Sequence, residues 1–227
     1  MITMDIKKLF LETEGDAYYQ RNKNALTKDN IGEDINFYSS FFSEMNILNK
    51  NTKFVEIGAS NGHNLKYFKE KFECEVFGID PSSEATKEGN KQFFNNKKVL
   101  LQGTSDSLPY DDESTDIVMF GFSLFWVGRK YLYRSISEAD RILKEGGYLL
   151  ITDFDTPLPY KRDNIHNKDT FTCKMNYSKF YLCNPQYSLI CKKNYSHESN
   201  TFNKDIQERV SAQILYKDYE DNSYIFE

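Results

Sequence analysis

From Lys53 onward, short apolar runs alternate with stretches that repeat apolar residues every three or four positions. KFVEIG, EVFGID, KVLLQG, TDIVMFGF and GGYLLITDF read as five strands, the last opened by the helix-ending glycines Gly146 and Gly147. Between them, GHNLKYFKEKF predicts a helix with Leu65, Phe68 and Phe72 on one face, and SSEATKEGNKQFF predicts a second. A third runs from about Tyr131 to Leu143, with Leu132, Ile136, Ala139 and Leu143 inward. Strands alternating with helices argue for a parallel sheet covered on both faces. Before this region, Ile35, Tyr38, Phe41, Phe42, Met45 and Leu48 form a helical stripe within residues 31–48, and FLETEGDAYYQRNKN precedes it with Gly15 as a break. After Phe154 the alternation stops. DTPLPYKRDNIHNKDTFTCKM reads as a polar excursion and MNYSKFYLCN as a short helix; QYSLICKKNYSH and ERVSAQILYKD read as two strands able to pair antiparallel at the sheet edge.

The expected organisation is therefore α/β. Residues 1–50 form a helical lid, 51–155 a core of five parallel strands, and 156–227 an acceptor-side excursion plus two strands completing the same domain, seven strands in all. A chain of 227 residues with 39% hydrophobic and 15% aromatic content can bury such a core. Its net charge of −5, without a concentrated basic face, argues against a nucleic-acid partner. Cys74, Cys173, Cys183 and Cys191 include no CxxC pair and read as reduced thiols, with no metal site expected. No apolar run suggests a membrane span, and MITMDIKKLF is too short and too charged for a signal peptide; a cytoplasmic protein is expected. Tyr216, Tyr219 and Tyr224 could serve an interface or finish the core, and the oligomeric state is left open.

The candidate chemistry sits after the first strand, in FVEIGASNGHNL. Glu56, Gly58, Ser60 and Gly62 fall on alternate positions, where glycine lets backbone approach a ligand without a Cβ in the way. Asp80 ends the next strand about 20 residues on, the spacing at which an acid can grip ribose hydroxyls. A nucleoside-containing cofactor is favoured. The dinucleotide fingerprint would need glycine where this chain has Ser60 and His63, which argues against a nicotinamide-dependent oxidoreductase.

These residues resemble a class I S-adenosylmethionine-dependent methyltransferase over roughly residues 50 to 155. EIGASNG is similar to that family's first motif, with Ser60 for its middle glycine. FGIDPS resembles the second, which implies that Asp80 binds the ribose with Pro81 beside it. LQGTSDSLPYDDESTDIVMFGF is similar to the G-D-A-x-x-L-P-F…F-D-x-V segment, with Thr104 where an acid often meets adenine, so that this contact passes to Ser105, Asp106 or backbone. RILKEGGYLLITDF resembles the R-x-L-K-P-G-G segment. The resemblance implies S-adenosylmethionine as cofactor and Phe122, at the end of the fourth strand, as a wall of the donor pocket. FLETEGDAYYQRNK and MNYSKFYLCNPQYSLI are similar to a narrower group, small methyltransferases of bacterial surface-polysaccharide clusters, including those associated with pseudaminic acid. That likeness implies a sugar, nucleotide-sugar or phosphorylated or phosphoramidate precursor as acceptor, methylated on oxygen before nitrogen.

An alcohol acceptor needs a base. Asp153 and Asp155, closing the fifth strand, and His166, in the polar excursion, are candidates; the acids equally suit a strand-end turn or helix cap, and His166 an exposed loop. His63 suits a helix start. In the lid, Tyr18 or Tyr19 could cover the methionine end, and Arg21 could pair with a carboxylate, or be a solvated surface group. Lys161, Arg162, Lys174 and Lys179 could meet an anionic acceptor or simply stay wet. Asn184-Pro185-Gln186-Tyr187 is similar to the N-P-P-Y motif of DNA amine methylation, but it follows the fifth strand rather than the fourth and reads as a turn. A non-catalytic cofactor-binding protein remains the alternative of another class.

Overall fold

The structure is a computed structural model that describes residues 5–27, 29–164, 166–167 and 170–223, so Tyr224 and Met1–Met4 lie outside it. The elements run α1 (Ile6–Leu9), a π-helical turn (Phe10–Glu14), α2 (Gly15–Asn22), α3 (Glu33–Met45), β1 (Lys53–Ile57), α4 (His63–Phe72), β2 (Glu75–Asp80), α5 (Ser83–Phe93), β3 (Leu100–Gln102), β4 (Thr115–Gly121), α6 (Arg129–Ile142), β5 (Leu143–Phe154), β6 (Tyr160–Asp163), β7 (Phe171–Lys174), α7 (Lys179–Leu182), β8 (Tyr187–Ser196) and β9 (Arg209–Lys217). β1 to β5 pair in parallel and β9 pairs antiparallel with both β5 and β8, giving the seven-stranded order β3-β2-β1-β4-β5-β9-β8. The last strand in sequence is thus not the edge: β9 inserts between β5 and β8, and β8 runs in the direction of the parallel five.

The apolar runs bury as their lengths predict. Phe54, Val55 and Ile57 of β1, and Ile117, Val118, Met119 and Phe120 of β4, are all at most 2% exposed, because helices cover both sheet faces. In α3 the stripe buries Ile35, Tyr38 and Phe42, but Met45 is 50% exposed where the helix ends in a left-handed Asn46. β1 and β4 are adjacent and their helices leave on opposite sides, so the chain reverses between them. That switch point opens a crevice at the strands' carboxyl ends, where open α/β sheets bind ligands.

Two expectations change. Gly15 does not break the lid. It begins α2 with ordinary helical backbone and is small because the lid presses on the loop after β2, where a Cβ would lie 3.0 Å from Ser82 N and 3.2 Å from the Pro81 carbonyl carbon. The polar excursion after Phe154 contains an ordered antiparallel hairpin, β6–β7, pairing Tyr160–Asp163 with Phe171–Lys174. All four cysteines are free thiols. Among the described residues no helix is long and apolar enough to cross a membrane, and no acid, histidine and cysteine cluster could hold a metal.

Candidate cofactor site

The loop from β1 to α4 turns tightly because its residues take unusual backbone angles: φ is +83° at Gly58, +50° at Ser60 and +74° at Gly62. Gly58 N–H and Ala59 N–H both donate to the Ile79 carbonyl, at 2.8 and 3.0 Å, pinning the loop to β2. At Gly58 a side chain is excluded twice over, by its positive φ and by Ser123, whose Cβ would lie 2.5 Å from an added Cβ. Ser60 holds a left-handed conformation that costs a non-glycine residue of order 1 kcal/mol or more, and Asp80 offsets it by accepting Ser60 N–H at 2.7 Å. The other Asp80 oxygen accepts Ser82 N–H at 2.8 Å. Two of the carboxylate's roughly four acceptor positions are therefore used, and the rest are free for a ligand's hydroxyls.

The crevice is a cavity of about 410 Å³. Of the residues expected to bind cofactor, Glu56, Gly58, Ser60, Asp80, Pro81, Thr104, Ser105, Asp106 and Phe122 line it. Gly62 lies beneath the wall instead, as the left-handed N-cap of α4, where a Cβ would meet Phe94 and Leu100 at 3.0 Å. Thr104 donates to Asp106 Oδ1 at 2.7 Å, and Ser105 spends its hydroxyl on Ser135, also at 2.7 Å. Asp106 is thus the acid at that end, and Lys7 from the lid closes on it at 2.7 Å and holds its carboxyl below the usual range against the cost of burial.

The lid corrects two assignments. Tyr18 lines the cavity, whereas Tyr19, one position on and about 100° round the helix, is turned to α5 and donates to Glu88 at 2.7 Å. Arg21 does not reach the cavity; its guanidinium pairs with the buried Glu14 at 2.5 Å, and Glu14 also accepts from Asn167 at 3.1 Å. The π turn sets this phase by bringing Phe10 to the cavity and Glu14 into the interior. The lid is latched outside by Asp16, which accepts Ser82 Oγ at 2.7 Å and Glu84 N–H at 3.0 Å.

The three candidate bases lie elsewhere. Asp153 is 2% exposed, and its carboxyl accepts Phe154 N–H at 2.7 Å and Phe125 N–H at 3.1 Å; burial pushes its pKa well up. It ties the turn after β4 to the end of β5, a structural role. Asp155 pairs with Lys192 at 2.7 Å and Asn194 at 2.5 Å. His166 is exposed in the loop after β6. The basic cluster also disperses. Lys174 is 5% exposed, stands 3.6 Å above the Phe154 ring and donates to the Gln207 carbonyl, while Lys161 lies over Phe171.

The sequence reading missed Asp34, Asn64, Phe10, Trp126, Lys7 and Tyr131, all in the cavity wall. His63, placed at a helix start, also faces it, and burial drops its pKa to about 4, so it is neutral. Glu56 Oε1 accepts from Asn64 at 2.9 Å, but Oε2 is buried without a partner, as is the Trp126 ring N–H. Burial first, then the nearby Asp34 and Asp80, push the Glu56 pKa up to about 8. Burial likewise raises Asp80 to about 6. Four carboxyls, Asp34, Glu56, Asp80 and Asp106, therefore face a cavity whose wall offers Lys7 as counter-charge among the described residues. Such a wall suits a ligand with hydroxyls and positive charge, and S-adenosylmethionine fits both demands: a ribose for Asp80, a sulfonium and an ammonium for the acids.

A seven-stranded Rossmann-like sheet with an acidic glycine loop at its switch point defines the class I S-adenosylmethionine-dependent methyltransferase fold. Residues 55–151 match the family model described as a methyltransferase domain. The chain is 30% identical over 107 residues to the uncharacterized methyltransferase YcgJ of Bacillus subtilis, covering 45% of this chain and 41% of that protein. It is 26% identical over 109 residues to phosphoethanolamine N-methyltransferase of Plasmodium falciparum, 47% of this chain and 41% of the relative. The chain thus spans about two-fifths of the curated relatives it matches. Among solved structures, a SAM-dependent methyltransferase of Methanosarcina mazei superposes with a TM-score of 0.60 at 20% identity, over 78% of this chain and 97% of the other, a likeness of fold.

Proposed function

We propose that the protein transfers a methyl group from S-adenosylmethionine to an oxygen of a small polar acceptor. The observation that carries this reading is the buried, unpartnered Glu56 Oε2 beside the glycine loop. An acceptor atom this deeply buried costs about 1–3 kcal/mol unless a ligand donates to it. When bound, the cofactor supplies a methyl group already activated on sulfur; the chain's task is to hold and orient the reactants and keep water out. Asp80 would take the ribose, Asp106 the adenine edge, and Glu56 the methionine half. Phe10, Tyr18 and Trp126, with Phe10 and Trp126 ring centroids 5.4 Å apart, would roof the cavity against water.

With Asp153, Asp155 and His166 outside the cavity, the proton of an alcohol acceptor would pass to Glu56, Asp34, neutral His63 or water. A sugar, nucleotide-sugar or phosphorylated or phosphoramidate precursor of a surface polysaccharide is the acceptor class suggested by the likeness of the lid and of the segment leading into β8 to the narrower group. The ordered β6–β7 hairpin, reaching the lid through Glu14 and Asn167, supports a built acceptor side. The test is calorimetric titration with S-adenosylhomocysteine against NAD, repeated on Asp80→Ala. Micromolar binding of the homocysteine product, lost in the variant and absent for NAD, is expected; NAD binding alone would move the protein to the oxidoreductases. Tight cofactor binding with no turnover across sugar, phosphate and amine acceptors would favour a regulatory, non-catalytic protein.

A further inference from the structure

Of the four acids that reach the cavity, Asp34 is the one with no part of the cofactor assigned to it. It is the second residue of α3, and it lines the cavity wall together with Glu56. Its carboxyl is held in place from behind. Tyr38 OH and Thr152 Oγ1 are 2.9 Å apart, Thr152 bonds Asp34 in turn, and the helix start supplies Ile35 N–H to the same carboxyl. Two glycines make room for the two acids. A Cβ at Gly32 would collide with Asp34 Oδ1, and one at Gly121 would lie 2.6 Å from Glu56 Oε1. Neither glycine has a positive φ, so the space they leave is for side chains rather than for backbone conformation.

Like charges are thereby packed into one end of a cavity, and one of them, Glu56, is 1% exposed with an oxygen that bonds nothing. Burial, and then the nearby Asp34, push the proton affinity of Glu56 up, and burial raises that of Asp34. No lysine or arginine among the described residues lines this end; Lys7 is engaged with Asp106 at the other. The arrangement is costly unless a cation arrives.

We propose that Asp34 and Glu56 form a paired-carboxylate seat for a cationic group in the methionine half of the cofactor, which makes Asp34 a binding residue of this site. The inference rests on the methyltransferase reading above. Two cationic centres share that chemistry, the α-ammonium and the sulfonium, and the product differs from the cofactor in lacking the second.

The experiment is titration calorimetry of the whole chain with S-adenosylmethionine and with S-adenosylhomocysteine, for the wild type, Asp34→Asn, Gly32→Ala and, as a charge control on the exposed side of the same helix, Glu44→Gln. A charge-assisted contact contributes about 1.5–3 kcal/mol, roughly tenfold to a hundredfold in Kd. Asp34→Asn should weaken S-adenosylmethionine by at least about tenfold. Gly32→Ala should do the same by pushing the carboxyl out of place while keeping its charge, so the result does not depend on Asp34→Asn folding well. Glu44→Gln should change neither ligand. Equal losses for both ligands would place the ammonium at the seat, and a larger loss for S-adenosylmethionine would place the sulfonium there; both support the seat. If wild type binds both ligands and Asp34→Asn binds them equally well, the seat is wrong while the methyltransferase reading stands. If wild type binds neither, that reading fails and the seat with it.

Discussion

The carboxyl edge of the sheet presents buried acids in two neighbouring regions, and they are built to opposite rules. At the ends of β1 and β2, Glu56 and Asp80 face the cavity with acceptor positions to spare. At the end of β5, Asp153 is as deeply buried, yet both its oxygens are taken by backbone N–H groups, and Asp155 is closed by Lys192 and Asn194. Burial and an odd pKa are therefore poor guides to function when taken alone. What separates an acid open to a ligand from a closed one here is whether its hydrogen-bonding capacity is already spent.

The sharpest way to break the comparison is Gly58→Ala. The added Cβ meets Ser123 at 2.5 Å and the backbone must hold φ at +83°, so the loop has to move. S-adenosylhomocysteine binding should fall by more than about a hundredfold, since a loop shift disturbs several ligand contacts at 1.5–3 kcal/mol each. Retained affinity in calorimetry would show that this loop does not cradle the cofactor. Asp153→Ala should do the reverse. Leaving two buried N–H groups unpaired costs about 1–3 kcal/mol each, so Tm should drop by roughly 5–15 °C. Cofactor affinity of the folded protein should stay within a few-fold. A variant that kept its Tm and lost activity would return Asp153 to the chemistry.

Those two positions also show what a sequence can reveal. The strands, their parallel order and the acid-glycine loop were legible because each is signalled by local spacing: apolar runs bounded by turns, small residues on alternate positions, an acid about 20 residues on. The β6–β7 hairpin was not, since YKRD and FTCK lack a clean alternation and gain order from tertiary contacts such as Lys161 over Phe171. The lid's register was hidden by the π turn over Phe10–Glu14, which shifts the helical phase and sends Tyr18, not Tyr19, to the cavity. Asp34 gave no signal at all, because an acid in the first turn of a helix is ordinary dipole compensation until the fold sets it against Glu56. Asp153 was visible as an acid, but its backbone partners were not.

A smaller effect sharpens the comparison through pH. Glu56 titrates near 8 in the folded protein and near 4.5 in an unfolded chain, so the native state holds this proton more tightly. Its stabilising contribution is complete below about pH 4.5 and is lost as pH rises through 8. Between pH 6 and 8.5, where the exposed carboxylates are already ionised, the ligand-free protein should lose thermal stability with rising pH. Glu56→Gln should flatten that slope, and saturating S-adenosylmethionine should reduce it in wild type by supplying positive charge. An unchanged slope in Glu56→Gln, followed by thermal unfolding at three pH values, would remove Glu56 as its origin.

The smallest expected change in cofactor affinity tests the lid. Arg21 pairs with Glu14 on the side away from the cavity, and His166 is exposed beyond it, so neither should touch the cofactor. Arg21→Gln removes the cationic partner of the buried Glu14, leaves Glu14 its bond from Asn167, and should cost about 1–3 kcal/mol of stability without touching the cofactor. His166→Ala, at an exposed position, should stay within about 0.5 kcal/mol. Calorimetry on both variants should give wild-type S-adenosylhomocysteine affinity. A tenfold loss with Arg21→Gln and none with His166→Ala would mean that the lid rearranges when cofactor enters, freeing the guanidinium from Glu14 to reach the methionine carboxylate. In that case the closed contacts of Arg21, like those of Asp153, would have to be weighed against a second arrangement of the same helix.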